Sequence, residues 1–210
     1  MDRSPKKHGP QKKKPNQPGK RRPGPVKRAN PPPADDNADE LEDSGARLPL
    51  KRIDKNLFAF QPPFCAIDRK EDMDEVRNMI AGGELDIARD ELLYLVSDCR
   101  AFLDAHNRLG ELALEEEDIP LAQGHFGFAY EIGLDSLPAG FQGILPSNRD
   151  YNRAFFLAGR GLARCLIARG QHEKGREVLV QLLKLDPREE NAKSLLDELD
   201  EQLRERKGAK

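Results

Sequence analysis

The sequence predicts an all-α protein in which helix-turn-helix units recur, preceded by a Pro- and Phe-rich segment and a highly charged arm. Three observations predict it. First, apolar and small residues fall at helical spacing at Leu162, Ala163, Leu166, Gly175, Leu179 and Leu182, with Gly170 at the bend and Pro187 after the second helix. Second, the same order lies upstream as Leu109, Gly110, Ala113, Ala122, Phe126 and Ala129, and more loosely as Val76, Met79, Gly83, Ala88, Leu92 and Leu95. Third, the small residue of the second helix recurs at Ala88 and Ala122, 34 residues apart, and then at Gly175, 53 further on, which is the same step plus 19 residues.

This pattern resembles the tetratricopeptide repeat, a 34-residue helix-turn-helix unit. The resemblance implies a solenoid of about three repeats with a C-terminal capping helix, preceded by a disordered arm. With composition it divides the chain into a basic then acidic arm over residues 1–47, an extended strap over 48–68 and a helical repeat domain over 69–207 with an insertion at 137–155.

Charge is distributed unevenly. Residues 1–33 hold eleven Lys/Arg, nine Pro and three Gly against one acid, whereas the remaining 177 residues hold 24 Lys/Arg and 36 Asp/Glu, a balance of −12. Such an arm cannot bury enough apolar surface to offset its ordering entropy, so disorder is expected to about residue 47. No apolar run approaches the roughly 18 residues of a membrane span, and no apolar core follows the basic N-terminus, so neither a span nor a secretory signal is expected. Cys65, Cys99 and Cys165 are odd in number, widely spaced and form no CxxC. Reduced thiols in a cytoplasmic setting are therefore expected.

Within the strap, Phe58, Phe60 and Phe64 flank Pro62-Pro63, and adjacent prolines favour an extended path. It reads either as packing against the helices or as a linear motif for a partner. The first helix is expected to open at Asp68 with Glu71 three residues later, a capping-box-like start, and to end at Gly82-Gly83. Its partner runs from about Asp86 to Cys99. The second pair spans about Ala101 to Leu134, with Pro120 at the start of its second helix. Gly110, Ala122 and Ala129 mark the closest helix approaches. Ser147 and Asp150 predict an early start for the third pair, with a helix from Asn148 to Arg169. The loop before it is either functional or a cover, through Phe141, Ile144 and Leu145, for an apolar edge. Asp186 as N-cap and Pro187 at N1 predict a last helix to about Arg206.

The chain is poor in catalytic constellations. His8 lies in the arm, His172 falls where the repeat usually has an aromatic and reads as packing, and His106 and His125 are solitary, without HExxH or Cys/His ligand spacing; GxSxG and GxxxxGK[ST] are absent. Gly124-Gly127 and Gly159-Gly161 read as helix-packing glycines, Glu115 to Asp118 as a solvated turn, and Cys99 and Cys165 as small buried apolar residues. No catalytic, cofactor or metal residue is assigned, and a non-enzyme is expected.

The resemblance implies that the first helix of each pair lines a concave face that holds a partner's peptide or helix. By position the lining is Lys70, Met73, Arg77 and Ile80, then Asp104, Asn107, Glu111 and Leu114, then Leu157, Arg160, Arg164 and Ile167. Some family members clamp a carboxylate tail through Lys and Asn on this face. Here Met73 and Arg77 stand where that clamp has Lys and Asn, and Leu157 where it has Lys, so the clamp is not carried over. The partner-binding candidates are Arg77, Asn107, Arg160 and Arg164, suited to an acidic or extended segment; the alternative is an unoccupied, solvated face. Lys12, Lys13, Lys14, Lys20, Arg21 and Arg22 are candidate phosphate contacts. The expected function is a protein-protein interaction scaffold. The alternative is a ribosome- or nucleic-acid-associated factor tethered by the arm, and a merely solubilising arm is a third possibility. Nothing in the sequence indicates the oligomeric state.

Overall fold

The computed structural model describes residues 47–208. The expected disorder and phosphate contacts of the arm lie outside them. The described residues are mostly helical, with one small sheet. β1 (Leu50–Asp54) and β2 (Leu57–Phe60) lead into α1 (Phe64–Asp68), α2 (Lys70–Gly82), α3 (Leu85–Asp98), α4 (Leu103–Glu115), α5 (Ile119–Asp135), α6 (Asp150–Ala168), α7 (His172–Leu185) and α8 (Glu190–Gly208). From α2 onward each helix packs on its successor, and α4 also meets α6 past α5. Among the described residues no helix is long and apolar enough to cross a membrane.

The turns within the pairs share one solution. Gly83 (φ 80°) and Gly170 (φ 75°) leave α2 and α6 in the left-handed conformation. The amide after each bonds back to the helix: Glu84 N–H to the Met79 carbonyl at 2.9 Å and Gln171 N–H to the Leu166 carbonyl at 2.8 Å. At the same place after α4 stands Glu117, at φ 61°, and the Asp118 N–H likewise reaches the Ala113 carbonyl at 2.8 Å. A side chain here takes a conformation that costs L-residues roughly 1–2 kcal/mol.

Three apolar clusters hold the helices together. One gathers Phe60, Tyr130, Leu145, Phe155, Phe156, Leu179 and Leu182 between the hairpin and α5 to α8. Another gathers Met73, Val76, Leu92, Leu95, Cys99, Phe102 and Leu109 from α2 to α4. The third, Ala113, Ala122, Phe126 and Cys165, lies where α4, α5 and α6 meet. There the Phe126 ring fills the space left by two glycines. A Cβ on Gly110 would stand 2.8 Å from it, and one on Gly161 2.6 Å. Gly159 is similarly close-packed, with Leu182 2.8 Å from a would-be Cβ, but Gly124 has nothing within 4 Å and is not a packing glycine.

The strap differs from a simple extended path. It folds back as an antiparallel hairpin with Leu50 opposite Phe60 and Arg52 opposite Phe58. The turn is Lys55-Asn56, where the Asp54 carboxylate accepts the Lys55 N–H at 2.7 Å. Pro62-Pro63 then ends the strand, and Pro63 is the residue before α1. The insertion covers the outer edge of β2: Phe58 N–H donates to the Ile144 carbonyl and Ile144 N–H to the Asn56 carbonyl, both at 2.8 Å. Phe141 meets Phe58 edge-on at 5.1 Å, and Leu145 is fully buried.

Four expectations are corrected. Asp68 does not start a helix pair: it ends α1, and Arg69 precedes α2 without a side-chain cap. α6 begins at Asp150 after Arg149, not at Asn148; Ser147 does not cap it, and its N–H goes instead to the Asp186 carboxylate at 2.7 Å. Asp186 is thereby occupied and closes α7, so α8 starts at Glu190, where the buried Glu189 carboxylate accepts the Ala192 N–H. The reduced-thiol reading also fails for two cysteines. Cys65 and Cys99, 34 residues apart, form a disulfide because α1 folds back on the end of α3, where Arg69 also pairs with Asp98 at 3.0 Å. Cys165 is free and buried.

Gly110→Ala and Gly161→Ala are each expected to lower stability by about 1–3 kcal/mol through overpacking against Phe126. Glu117→Gly should raise it by roughly 0.5–1 kcal/mol; urea titration of the three variants checks both signs. Reducing the disulfide, or Cys65→Ser, is expected to cost about 3–4 kcal/mol, since the closed loop of about 34 residues no longer restrains the unfolded chain. Equal urea midpoints with and without reductant would refute the bond's contribution.

Candidate functional site

α2, α4 and α6 bring charged side chains of both signs to one region. Arg77 on α2 is exposed and pairs with Asp74 one turn earlier. On α4, Arg108 pairs with Glu111 at 2.6 Å. Burial pushes the Asp104 carboxyl above the usual carboxylate range; the Arg77 and Arg108 guanidiniums pull it back down, and Asp150 on α6 raises it again. Asp104 on α4 thus feels charges from α2, α4 and α6. Tyr151 lies beside them, its hydroxyl donating to the Ala101 carbonyl at 3.3 Å, and its phenol is held protonated by burial first and by Asp104 second.

The four candidate partner-binding residues do not converge on one site. Arg77 is exposed, at the α2 end. Asn107 is 1 % exposed, and its amide donates to the Ala154 carbonyl of α6 at 2.9 Å, so it ties α4 to α6 from within. Arg160 is drawn inward to the Glu189 carboxylate at 2.7 Å, a carboxylate only 3 % exposed. Burial lowers its affinity for a proton, and Glu189 offsets this only in part. Arg164 is exposed and lines a cleft of about 200 Å³ between α6 and α8 with Ile167, Leu195 and Glu198. Of the other residues placed on this face, Met73 is fully core. Of the four, Arg77 and Arg164 are exposed at separate places, and Asn107 and Arg160 are spent on contacts between elements.

Two groups carry further polar chemistry, one that the sequence reading passed over and one whose members it read as solitary. Asn152 is fully buried near the start of α6: its carbonyl oxygen accepts the Phe60 N–H at 2.8 Å, and its amide donates to Phe58 and Pro146 carbonyls at 3.2 and 3.0 Å. One side chain thus joins hairpin, insertion and helix. Its signal in sequence was an amide set among Tyr151, Ala154, Phe155 and Phe156, a polar residue on an otherwise apolar stretch. The second group is a histidine pair. His106 and His125, far apart in the chain, bring their ring centroids to 5.8 Å, with Phe128 4.8 Å from His106. Burial pushes His106 down to about 4, with the neighbouring His125 second, and burial also lowers His125. His172, by contrast, is half-buried and meets Arg206 at 2.8 Å.

Among the described residues no group of three or more His, Cys, Asp or Glu is arranged to hold a metal ion. Comparison of the chain with protein-family models and with curated proteins finds no match.

The histidine pair makes stability depend on pH. His106 stays neutral when folded down to about 4 and burial lowers His125 in the same direction, so the unfolded chain, whose imidazoles titrate near 6.5, binds more protons below that value. Their contribution is intact above pH 6.5 and is lost as pH falls toward 4, at about 1.4 kcal/mol per pH unit for each proton taken up on unfolding. His106→Gln is expected to flatten this limb in urea titrations between pH 7 and 4.5; an unchanged slope would show that His106 is not held neutral.

Proposed function

We propose that the chain is a non-enzymatic scaffold or adaptor of tetratricopeptide-repeat type, a solenoid of about three helix pairs with α8 as its cap. The observation that carries this reading is the order of packing: each helix from α2 on meets its successor, and α4 reaches past α5 to α6. In a stack of helix pairs, first helices neighbour first helices in this way. The left-handed residues at Gly83, Glu117 and Gly170, 34 and then 53 positions apart, support the same register. The face of α2, α4 and α6 binds a peptide or helix of a partner protein. Arg77 and Arg164 supply charge-assisted hydrogen bonds to an acidic or extended segment, over a face shaped from beneath by Asn107 and Arg160. No residue is assigned to catalysis, a cofactor or a metal. The cytoplasmic location loses the support it drew from reduced thiols, since Cys65 and Cys99 are bonded.

A second reading rests on the charge asymmetry. Eleven cations within residues 1–33 neutralise phosphates without reading bases, which makes the chain a ribosome- or nucleic-acid-associated factor. The deciding experiment is affinity purification from the native host with full-length chain and with a chain lacking residues 1–47, each with and without nuclease. The scaffold reading expects the same protein partners in all four, with Arg77→Glu and Arg164→Glu together weakening capture by about tenfold or more. Loss of partners with the arm or on nuclease treatment, and a steep fall with salt, would replace it by nucleic-acid tethering.

A further inference from the structure

The hairpin has two edges, and the insertion and α6 cover the edge on the β2 side. There the Phe58 N–H goes to the Ile144 carbonyl and the Phe60 N–H to Asn152 Oδ1, while the Phe58 carbonyl accepts the Asn152 amide. Phe58 and Phe60 thus turn their backbone groups away from β1, and Ala59 between them turns its own toward Lys51. Direction alternates along an antiparallel pair. Leu50 and Arg52, which stand opposite Phe60 and Phe58, therefore aim their N–H and C=O groups outward, away from β2. Among the described residues none of these groups has a hydrogen-bond partner. β2 is the element on which β1 packs, and β1 is exposed from Lys51 to Asp54.

An unpaired edge is a template for another strand, and charged side chains limit which strand can use it. A second copy pairing antiparallel through Leu50 and Arg52 sets Lys51 against its own copy or, one residue along, Arg52 against its own copy. Like charges directly opposite destabilise a pair. Beside the strand, a cleft of about 600 Å³ between the hairpin and the start of α6 is lined by Lys51, Arg52, Ile53, Arg149 and Asp150 among others. Asp150 is the single carboxylate in that described lining, against three cations. Lys51 and Arg149 make no ion pair among the described residues, and the Arg52 guanidinium is held by the Asp54 and Lys55 carbonyls, which leave its charge unmatched. Ile53 is 39 % exposed. We propose that the β1 edge takes an extended, acidic segment of a partner protein as an added strand. Its main chain pairs with Leu50 and Arg52, its carboxylates meet Lys51, Arg52 and Arg149, and an apolar side chain covers Ile53. In such additions main-chain bonds supply affinity and alternate side chains specificity. The site lies on the hairpin and does not rest on the scaffold reading.

The test is NMR titration and amide hydrogen exchange of the full-length chain at low salt, with a short peptide alternating Glu and Val and with its Lys–Val counterpart. The Glu–Val peptide is expected to bind about tenfold tighter or more than the Lys–Val peptide. It should slow exchange at the Leu50 and Arg52 amides and leave Lys51, which already faces Ala59, unchanged. Methylating one alternate set of the peptide's amides should abolish binding, and methylating the other set should not, since a strand pairs through alternate residues. Lys51→Glu together with Arg149→Glu should weaken the Glu–Val peptide by about tenfold. Should that variant not fold, the exchange pattern in the unaltered protein decides alone. No saturable binding, equal affinities for the two peptides, or binding without slowed exchange at Leu50 and Arg52 would overturn the assignment. Slow exchange at both amides in the free chain would also overturn it, in favour of a second copy or another part of the same chain.

Discussion

The position of Phe126 between Gly110 and Gly161 is the constraint on which the helix packing depends. α4, α5 and α6 meet there, and the cluster around Phe126 lies between the larger clusters on either side. Two absent side chains let one ring fill the shared space. Because α4 and α6 come this close, the Asn107 amide can reach the Ala154 carbonyl, and the Asp104 carboxyl feels Asp150 of α6 as well as Arg77 of α2. The candidate face is thus a consequence of packing that occurs behind it.

Polar satisfaction governs the other end of α6. Buried polar groups are mostly hydrogen-bonded. The buried Asn107 Oδ1 has no partner within the protein, whereas the Asn152 amide meets the backbone of Phe58, Phe60 and Pro146. The hairpin and the insertion are held in register by the same side chain. Asp186 plays a comparable part, its carboxylate accepting amides from Ser147 and Arg188. The insertion therefore serves as cover for the hairpin edge and the aromatic cluster beneath, through Phe141, Ile144 and Leu145. Each of these ties joins residues distant in the chain.

Local chemistry was legible where a residue acts on its own neighbourhood. Gly83 and Gly170 ended helices because they accept a left-handed backbone, and Pro120 sat in the first turn of α5, where Asp118 caps the Leu121 N–H. The apolar stripe of Ala88, Leu92 and Leu95 was buried as its spacing requires. Glu117 escaped notice because nothing in its side chain announces a left-handed residue; the turn length imposes it. The site was less legible. Arg160 and Asn107 read as surface candidates because helical position says which direction a side chain leaves, and not whether another element lies there to receive it.

By itself the sequence determined the helical character of the described residues, because apolar spacing and turn residues act over a few positions. Tertiary structure alone decided that Cys65 bonds Cys99, that the strap turns back as a hairpin, and that Glu189 rather than Asp186 caps the last helix. Each of these depends on which distant groups arrive within a hydrogen bond or a covalent bond of one another. Packing sets those distances, and periodicity along the chain does not encode them.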